Sequence, residues 1–158
     1  MVERATRAVD ADVDLHIAGD RDELRAGRAS VLAAISGGGV LGACCRYAVA
    51  SAWPHAVTGF PWSTLVVNVS GCLLIGALMV IVTEVAPGRR LLRPFLGVGV
   101  LGGYTTFSTY VLDVHRAAAA GVPWIALAYL LVSVVGAVVA VWAGSAATAR
   151  LVRGRVRL

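Results

Sequence analysis

The chain has 158 residues, of which 58% are hydrophobic and only 15% are charged. Soluble domains have about 45–50% apolar and about 25% charged residues, so this composition excludes a soluble enzyme domain and a disordered chain. The net charge of +5 comes from arginines that lie beside apolar runs rather than along one soluble face, and no nucleic-acid partner is expected. The sequence therefore predicts an integral membrane protein.

The two ends of the chain differ from its apolar centre. Residues 1–28 hold seven acidic residues, five arginines and no aromatic residue, which predicts a flexible or partly helical extension. They are not a secretory signal peptide, since no basic start leads straight into an apolar core. Residues 151–158 predict a short basic tail, and both ends are expected in the cytoplasm.

Four apolar runs lie between these ends, and each is long enough for the roughly 20 residues that a membrane-crossing helix needs. They cover about residues 30–53, 63–85, 91–114 and 124–148. The first run is interrupted only by Arg46, and the fourth, rich in Val, Ala and Leu, is the most uniform. Residues 29–150 therefore predict an all-α membrane domain with four transmembrane helices.

Arginines are far more frequent on one side of these helices than on the other. Ten arginines flank the side that holds both termini, whereas only Arg116 flanks the opposite side. The positive-inside rule counts short flanking segments in this way, so both termini are predicted to be cytoplasmic. The ten are Arg21, Arg25, Arg28, Arg89, Arg90, Arg93, Arg150, Arg153, Arg155 and Arg157.

The third run is a poor sequence for an unbroken helix, because it reads Gly97-Val-Gly-Val-Leu-Gly-Gly-Tyr-Thr-Thr-Phe-Ser-Thr-Tyr110. Each glycine weakens a helix interior by about 1 kcal/mol relative to alanine. Close helix packing explains the glycines alone, because Gly99 and Gly103 form a GxxxG pair. The hydroxyl residues that follow favour a helix broken near the membrane midplane, with carbonyls that bind a cation and hydroxyls along a wet path.

Two aromatic residues follow the glycines. Phe107 and Tyr110 are three residues apart and share one face of a helix. Ordinary core packing explains such a pair. Alternatively, the positive ring edges hold a small anion without the deep trap of a buried full charge. The residues alone leave both interpretations open.

Isolated polar residues lie within the other runs. Asn68 is in the middle of run two, Thr64 lies four residues before it, and in run four Ser133 lies four residues after Tyr129. For each of these a structural hydrogen bond between helices is the alternative to a functional role. Arg46 is the only full charge deep in a run, and it either attracts an anion or reaches the membrane interface with its long side chain.

Three motifs in this order resemble the Fluc/CrcB family of bacterial fluoride channels. The first extends from Gly38 to Tyr47, the second from Thr64 to Gly71, and the third from Gly102 to Tyr110. The resemblance covers about residues 30–150. It implies an antiparallel dimer of four-helix subunits in the bacterial cell membrane, with two narrow pores that export fluoride passively and reduce its toxicity.

The resemblance also implies roles for particular residues. Backbone carbonyls of Gly102 and Thr105 would hold a structural sodium ion at the dimer centre. Asn68 would be a pore-lining donor, and Phe107 and Tyr110 would be the aromatic pair that faces fluoride. The remaining residues implied are the hydroxyl contacts Ser108, Thr109, Thr64 and Ser133, and Arg46 near a pore vestibule.

One departure from the family pattern leaves a second function open. The second aromatic residue of the family is usually Phe, and here it is Tyr110, whose hydroxyl either donates to fluoride or crowds the path. A non-conducting partner or scaffold subunit is therefore an alternative.

A small proton-coupled drug exporter is a further alternative, but it needs a carboxylate within the membrane. Glu84 lies at the end of a run and Asp113 at the edge of run three.

The arginine distribution bears on assembly. An antiparallel homodimer requires one sequence to insert in both orientations, which needs nearly balanced flanks. Ten arginines against one predict a fixed orientation, and therefore an oppositely oriented homologous subunit as the partner. No enzyme is predicted, because the three histidines are scattered through the extension and loops.

Overall fold

The computed structural model describes the backbone of residues 18–86 and 88–156, and the side chains of residues 28–86 and 88–154. Most of the predicted N-terminal extension, residues 1–17, and the end of the predicted tail, residues 157–158, lie outside the described residues. Everything stated below refers to the described part of the chain.

The described residues form five helical segments and no strand. The third segment, α3, is wound in the wider π form over its first nine residues and ends in one α-helical turn, and α2 also continues into a π turn, Ile81–Val85. The segments are α1 (Ala18–Ala52), α2 (Trp62–Val80), α3 (Arg93–Leu101 and Gly102–Tyr104), α4 (Phe107–Ala119) and α5 (Pro123–Val156).

Four helical stretches are long and apolar enough to cross a membrane, which confirms the predicted all-α protein with four spans. The third span consists of α3 and α4 together. The four spans are Arg28–Ala52, Trp62–Val85, Arg93–Ala119 and Pro123–Gly154.

Several helix ends differ from the predicted ones. Helix α1 begins at Ala18, inside the segment predicted as the extension, and α5 continues through the predicted tail to Val156. The third span ends at Ala119 rather than near Val114, because α4 turns Asp113 and Ala117 inward and buries both. Polar residues on a buried face end an apolar run in the sequence without ending the helix.

The turn between α4 and α5 has a local explanation. Gly121 has a positive φ of 80°, a conformation that glycine adopts at little cost. The N–H of Val122 donates to the Ala117 carbonyl at 3.1 Å, which closes the end of α4. Pro123 then begins α5 at the position where proline is best tolerated in a helix.

Helices α1 and α3 pack with their backbones in direct contact. A Cβ atom added to Gly99 would lie 2.9 Å from the Gly38 Cα, and one added to Gly103 would overlap the Gly39 carbonyl oxygen. A Cβ on Gly42 would overlap the Val100 carbonyl oxygen in the same way. The glycines of run three therefore do form a close packing face, which was one of the two interpretations of their spacing.

A second pair of helices is built on the same principle. Helices α2 and α5 meet where Gly76 faces the Val141 carbonyl and Gly144 faces the Leu73 backbone. The Ser145 hydroxyl also lies 3.2 Å from the Gly76 carbonyl, to which it donates. Helix α4 packs against α5, and the α1–α3 pair also contacts α2. This arrangement packs the interruption between α3 and α4 against the other helices on one side and leaves its other side open.

Candidate functional site

The third span is interrupted at two threonines near its middle. Thr105, with φ −77° and ψ 159°, and Thr106, with φ −147° and ψ 124°, have extended backbone between the end of α3 and the start of α4. The Thr106 side chain caps α4, since its Oγ1 accepts a hydrogen bond of 3.2 Å from the Thr109 N–H. Backbone groups at such an interruption need partners from other parts of the protein.

Asn68 on α2 supplies partners for one of these residues. Its Nδ2 donates to the Thr106 carbonyl at 2.9 Å, and its Oδ1 accepts from the Thr106 N–H at 2.8 Å. The side-chain amide thus pairs with the extended backbone as a neighbouring strand would. The half-buried Asn68 thus makes the hydrogen bond between helices that was the alternative to a functional role, and one Nδ2 hydrogen is left for another acceptor.

The interruption removes the usual donors of two carbonyl groups. In an unbroken α-helix the Thr106 N–H would donate to the Gly102 carbonyl and the Thr109 N–H to the Thr105 carbonyl. The Thr106 N–H binds Asn68 instead, and the Thr109 N–H binds the Thr106 hydroxyl. Gly102 and Thr105 are the two residues whose carbonyls the family resemblance assigned to a cation.

Arg46 is tied to the same region. Its Nε donates to the Gly103 carbonyl at 3.0 Å, and the residue is half-buried. Both interpretations of its position in α1, attraction of an anion and anchoring at the membrane interface, stay open. Arg46 anchors α1 to the end of α3 and also lines a cavity of about 220 Å³.

The residues predicted for the site are divided between two cavities. The larger, of about 440 Å³, lies along α2, the interruption and α5. The predicted residues that line it are Asn68, Gly102, Thr105, Phe107, Tyr110 and Ser133. The smaller cavity, lined by Arg46, Thr64 and Thr109, adjoins it at Thr106, which lines both.

Ser108 lines neither of these cavities. It is exposed on this subunit, and its hydroxyl lies 3.3 Å from the Thr106 hydroxyl, within hydrogen-bond distance. Within the described part of one subunit, the structure does not bring Ser108 together with the other predicted path residues.

Aromatic rings form a continuous row from the surface into the core. The ring centroids of Phe107 and Tyr110 are 5.9 Å apart, and those of Tyr110 and Tyr129 are 5.3 Å apart. Phe60 continues the row 5.5 Å from Tyr129 with an edge-to-face contact, and Trp62 follows at 4.5 Å. Phe107 is 77% exposed on the subunit surface, whereas Tyr129 is 1% exposed. The row therefore reaches a cavity wall and a face that the subunit itself leaves open.

The Tyr110 hydroxyl has a partner in the neighbouring helix. It donates to the Leu130 carbonyl of α5 at 3.3 Å. This bond and the two ring contacts hold the Tyr110 side chain at three points. The hydroxyl, which the sequence left either donating to fluoride or crowding the path, is directed at a backbone carbonyl.

Two buried hydroxyl groups have no hydrogen-bond partner among the described residues: those of Tyr129 and Ser133. They lie one helical turn apart on α5. The Tyr129 hydroxyl interacts with Ser133 and Thr64, but reaches hydrogen-bond geometry with neither. Buried hydroxyls without partners are uncommon, and that of Ser133 belongs to a residue in the wall of the larger cavity, where it is available to a water molecule or an ion. The sequence predicted no role for Tyr129, which was named only because Ser133 lies four residues after it.

Asp113 is a further polar residue of the site that the sequence placed at the edge of its run. Its carboxylate is buried, accepts a hydrogen bond of 2.9 Å from the Thr64 hydroxyl, and lies 3.8 Å from His55 Nε2. The sequence offers one signal that could have pointed to Asp113, because it and Glu84 are the only acidic residues after residue 28. Asp113 lies inside the third span rather than at its edge, and the predicted contact of Thr64 with fluoride stays a prediction.

The fold and the site define a small membrane protein with four spans and two cavities at an interrupted helix. The chain belongs to the CrcB family, because residues 33–145 match the family model described as CrcB-like protein, Camphor Resistance. This match confirms the resemblance that the three motifs indicated.

Curated relatives agree with the family. The chain is 54% identical over 66% of each chain to fluoride-specific ion channel FluC 2 of Streptomyces avermitilis. It is 47% identical, over 81% of this chain and 83% of the relative, to FluC 1 of Streptomyces coelicolor. It is also 48% identical to FluC 3 of Streptomyces avermitilis, over 61% of this chain and 46% of that one. Because the relatives are named as channels, the prediction that the chain is not an enzyme is confirmed.

Proposed function

We propose that this chain is a subunit of a fluoride-selective channel that lets fluoride leave the cytoplasm passively and so reduces its toxicity. Relatives up to 54% identical are named fluoride-specific ion channels. The observation that carries the proposal is the buried Ser133 hydroxyl, which lies in the wall of the larger cavity with Phe107 and Tyr110 and has no hydrogen-bond partner among the described residues. A transient ligand for this donor explains why no described group satisfies it.

The larger cavity offers the kinds of contact that fluoride requires. Fluoride is small and strongly hydrated, so a selective path must replace its water with several donors and still release it. The Ser133 hydroxyl, the second Nδ2 hydrogen of Asn68 and the ring edges of Phe107 and Tyr110 are donors of graded strength. None of these groups carries a full positive charge, so none creates a deep trap.

The smaller cavity continues the proposed path. Arg46 lies in its wall and adds positive charge for an approaching anion, although its Nε is bound to Gly103. Thr109 is a hydroxyl contact there, and Ser108 becomes one only if a second subunit covers it. Thr64 contacts fluoride only after its hydroxyl leaves Asp113, which makes this contact conditional on the carboxylate.

A structural sodium ion fits the carbonyls of Gly102 and Thr105. Both carbonyls lose their intrahelical donors at the interruption, and both residues line the larger cavity. Sodium prefers neutral oxygen ligands, and two carbonyls are fewer than such an ion binds, which supports further ligands from a second subunit. When bound, the ion would supply positive charge that holds two interrupted helices together. Asn68 and the Thr106 side chain keep the carbonyls free for it.

We further propose that the partner is an oppositely oriented homologous subunit. Six arginines with described side chains flank one side, against Arg116 on the other: Arg28, Arg89, Arg90, Arg93, Arg150 and Arg153. Two relatives from Streptomyces avermitilis carry the numbers 2 and 3, so that organism has more than one such channel chain. A fixed orientation and a second chain together support a heterodimer over a homodimer.

The bond between Tyr110 and Leu130 favours a second candidate, a partner subunit whose own pore does not conduct. A ring fixed by its hydroxyl at 3.3 Å from a backbone carbonyl cannot follow a passing ion freely.

The drug-exporter alternative gains a buried carboxylate, Asp113, within the third span. The relatives are nevertheless named as fluoride channels, so the exporter is not proposed.

Fluoride efflux from liposomes tests the proposed function. We expect liposomes that hold the chain with a co-expressed homologous partner to release fluoride and to retain chloride. The variant Ser133→Ala removes a donor and should slow efflux about tenfold. Because no described group forms a hydrogen bond with the Ser133 hydroxyl, the variant should lose little stability. Equal efflux from both proteins would contradict the role of Ser133, and no efflux of fluoride from either would contradict the channel.

A further inference from the structure

The connector between α2 and α3 forms an open groove. It has a volume of about 520 Å³. Two adjacent, exposed arginines line it together with apolar residues. The lining residues are Gly88, Arg89, Arg90, Leu91, Leu92 and Phe95.

The positive charge of this groove is not balanced by the protein. Arg89 and Arg90 are both exposed. The two carboxylates in the described part of the chain are engaged elsewhere, Glu84 with Arg153 at 3.7 Å and Asp113 with His55 at 3.8 Å. No described carboxylate lies within salt-bridge distance of either groove arginine. The groove therefore has two guanidinium groups available to an external anion.

The groove lies where one span ends and the next begins, which is where the boundary between membrane and water is expected. Its residues directly follow the span Trp62–Val85 and reach the first turn of the span Arg93–Ala119. The ion pair of Glu84 with Arg153 places the end of α5 on the same side. At this depth a bilayer presents phosphate groups next to acyl chains, which matches the order of basic and apolar residues in the groove.

We propose that this groove binds an anionic phospholipid, with the phosphodiester on Arg89 and Arg90 and an acyl chain against Leu91, Leu92 and Phe95. Guanidinium groups bind phosphate oxygens in a bidentate manner, and two of them exceed the single charge of one phosphodiester. A zwitterionic lipid brings its own cation and gains less from two arginines. The site is separate from the proposed ion path and does not rest on it.

Native mass spectrometry of the purified full chain with added lipid tests the proposal. Phosphatidylglycerol should remain bound to the wild type at a higher occupancy than phosphatidylcholine. The double variant Arg89→Gln/Arg90→Gln should lower the occupancy by phosphatidylglycerol about tenfold. The matched control is Arg28→Gln/Arg150→Gln, which removes two exposed arginines outside the groove and should retain the lipid. Because the protein is in detergent, its orientation in the cell membrane does not affect the result.

Three outcomes would overturn the proposal. Equal losses in the two double variants would show a general attraction to positive charge. Equal occupancy by the two lipids in the wild type would show that the charge of the headgroup does not matter. Displacement of phosphatidylglycerol by inorganic phosphate at the same concentration would show a site for phosphate itself, because the apolar residues would then contribute nothing.

Discussion

Tyr110 illustrates how one hydroxyl group changes the behaviour of a ring. The ring contacts Phe107 and Tyr129, and the hydroxyl donates to the Leu130 carbonyl. A phenylalanine in this place would keep the ring contacts and lose the bond to α5. The side chain would then turn its edge toward the cavity at a lower cost, which matters if ring edges contact the ion.

The variant Tyr110→Phe is therefore expected to increase fluoride efflux, by about two- to fivefold, the worth of one modest hydrogen bond. Efflux from liposomes measures it, with the partner subunit present. Tyr104→Phe is the matched control, because its hydroxyl lies 3.0 Å from that of Ser70, away from the row of rings. If Tyr110→Phe conducts less than the wild type, the hydroxyl itself would be a donor to the ion.

Asn68 differs from Ser133 in what its loss does to the fold. The Asn68 amide satisfies both the N–H and the carbonyl of Thr106, whereas the Ser133 hydroxyl satisfies no described group. Asn68→Ala should lower the free energy of unfolding by about 2 kcal/mol, because it leaves two backbone groups without partners. Ser133→Ala should leave it nearly unchanged. Denaturant titration of the purified variants in detergent measures both, and equal stabilities would contradict this division.

Replacing Asp113 tests how a negative charge near the proposed path affects fluoride efflux. A buried carboxylate beside Thr64 repels an anion and holds the hydroxyl that would otherwise contact it. Asp113→Asn keeps the shape and an acceptor for Thr64 but removes the charge. We expect this variant to increase fluoride efflux from the same liposomes. A loss of efflux with unchanged stability would show that the carboxylate is needed for passage.

At the scale of the helices, the close backbone contacts are the feature that is most sensitive to substitution. Gly42→Ala places a methyl group on the Val100 carbonyl and should destabilise the chain by about 1–3 kcal/mol. Gly37→Ala is the matched control, because a Cβ there meets nothing within 4 Å. Gly37→Ala should raise the free energy of unfolding by less than about 1 kcal/mol. Equal effects on the unfolding free energy would contradict the packing of α1 on α3.

The helices themselves were largely predictable, because each apolar run is long enough to cross a bilayer. The glycines and hydroxyl residues of run three also indicated where regular helix is unfavourable, and the backbone is extended at Thr105 and Thr106. The end of the third span was not predictable from hydropathy. Asp113 and its neighbours interrupt the apolar run, and only the packing of α4 shows that this face is buried.

The partners within the site could not be predicted from the sequence. The bond between Asn68 and Thr106 joins residues 38 positions apart, that between Thr64 and Asp113 spans 49, and that between Arg46 and Gly103 spans 57. The residue types show that each polar group needs a partner, but not which one. The choice follows from how the glycine faces bring the helices together.

At the scale of the whole molecule, orientation links the charge distribution to assembly. Net charge alone is a poor guide, because residues 1–28 contribute −2 and the rest of the chain +7 to the total of +5. Seven of the nine arginines after residue 28 flank one side of the spans, Arg46 lies within a span, and Arg116 flanks the other side. A reporter fused to the C-terminus should therefore be active on the cytoplasmic side only. Equal activity on the two sides would contradict a fixed orientation and favour a homodimer.

The most direct measurement is fluoride efflux from liposomes that hold the purified chain alone, compared with liposomes that hold it with a co-expressed homologous chain of the opposite orientation. The proposed heterodimeric channel predicts rapid fluoride efflux, with chloride retained, only when both chains are present. Rapid efflux from the chain alone would contradict the need for a partner, and no fluoride efflux from the pair would contradict the channel itself.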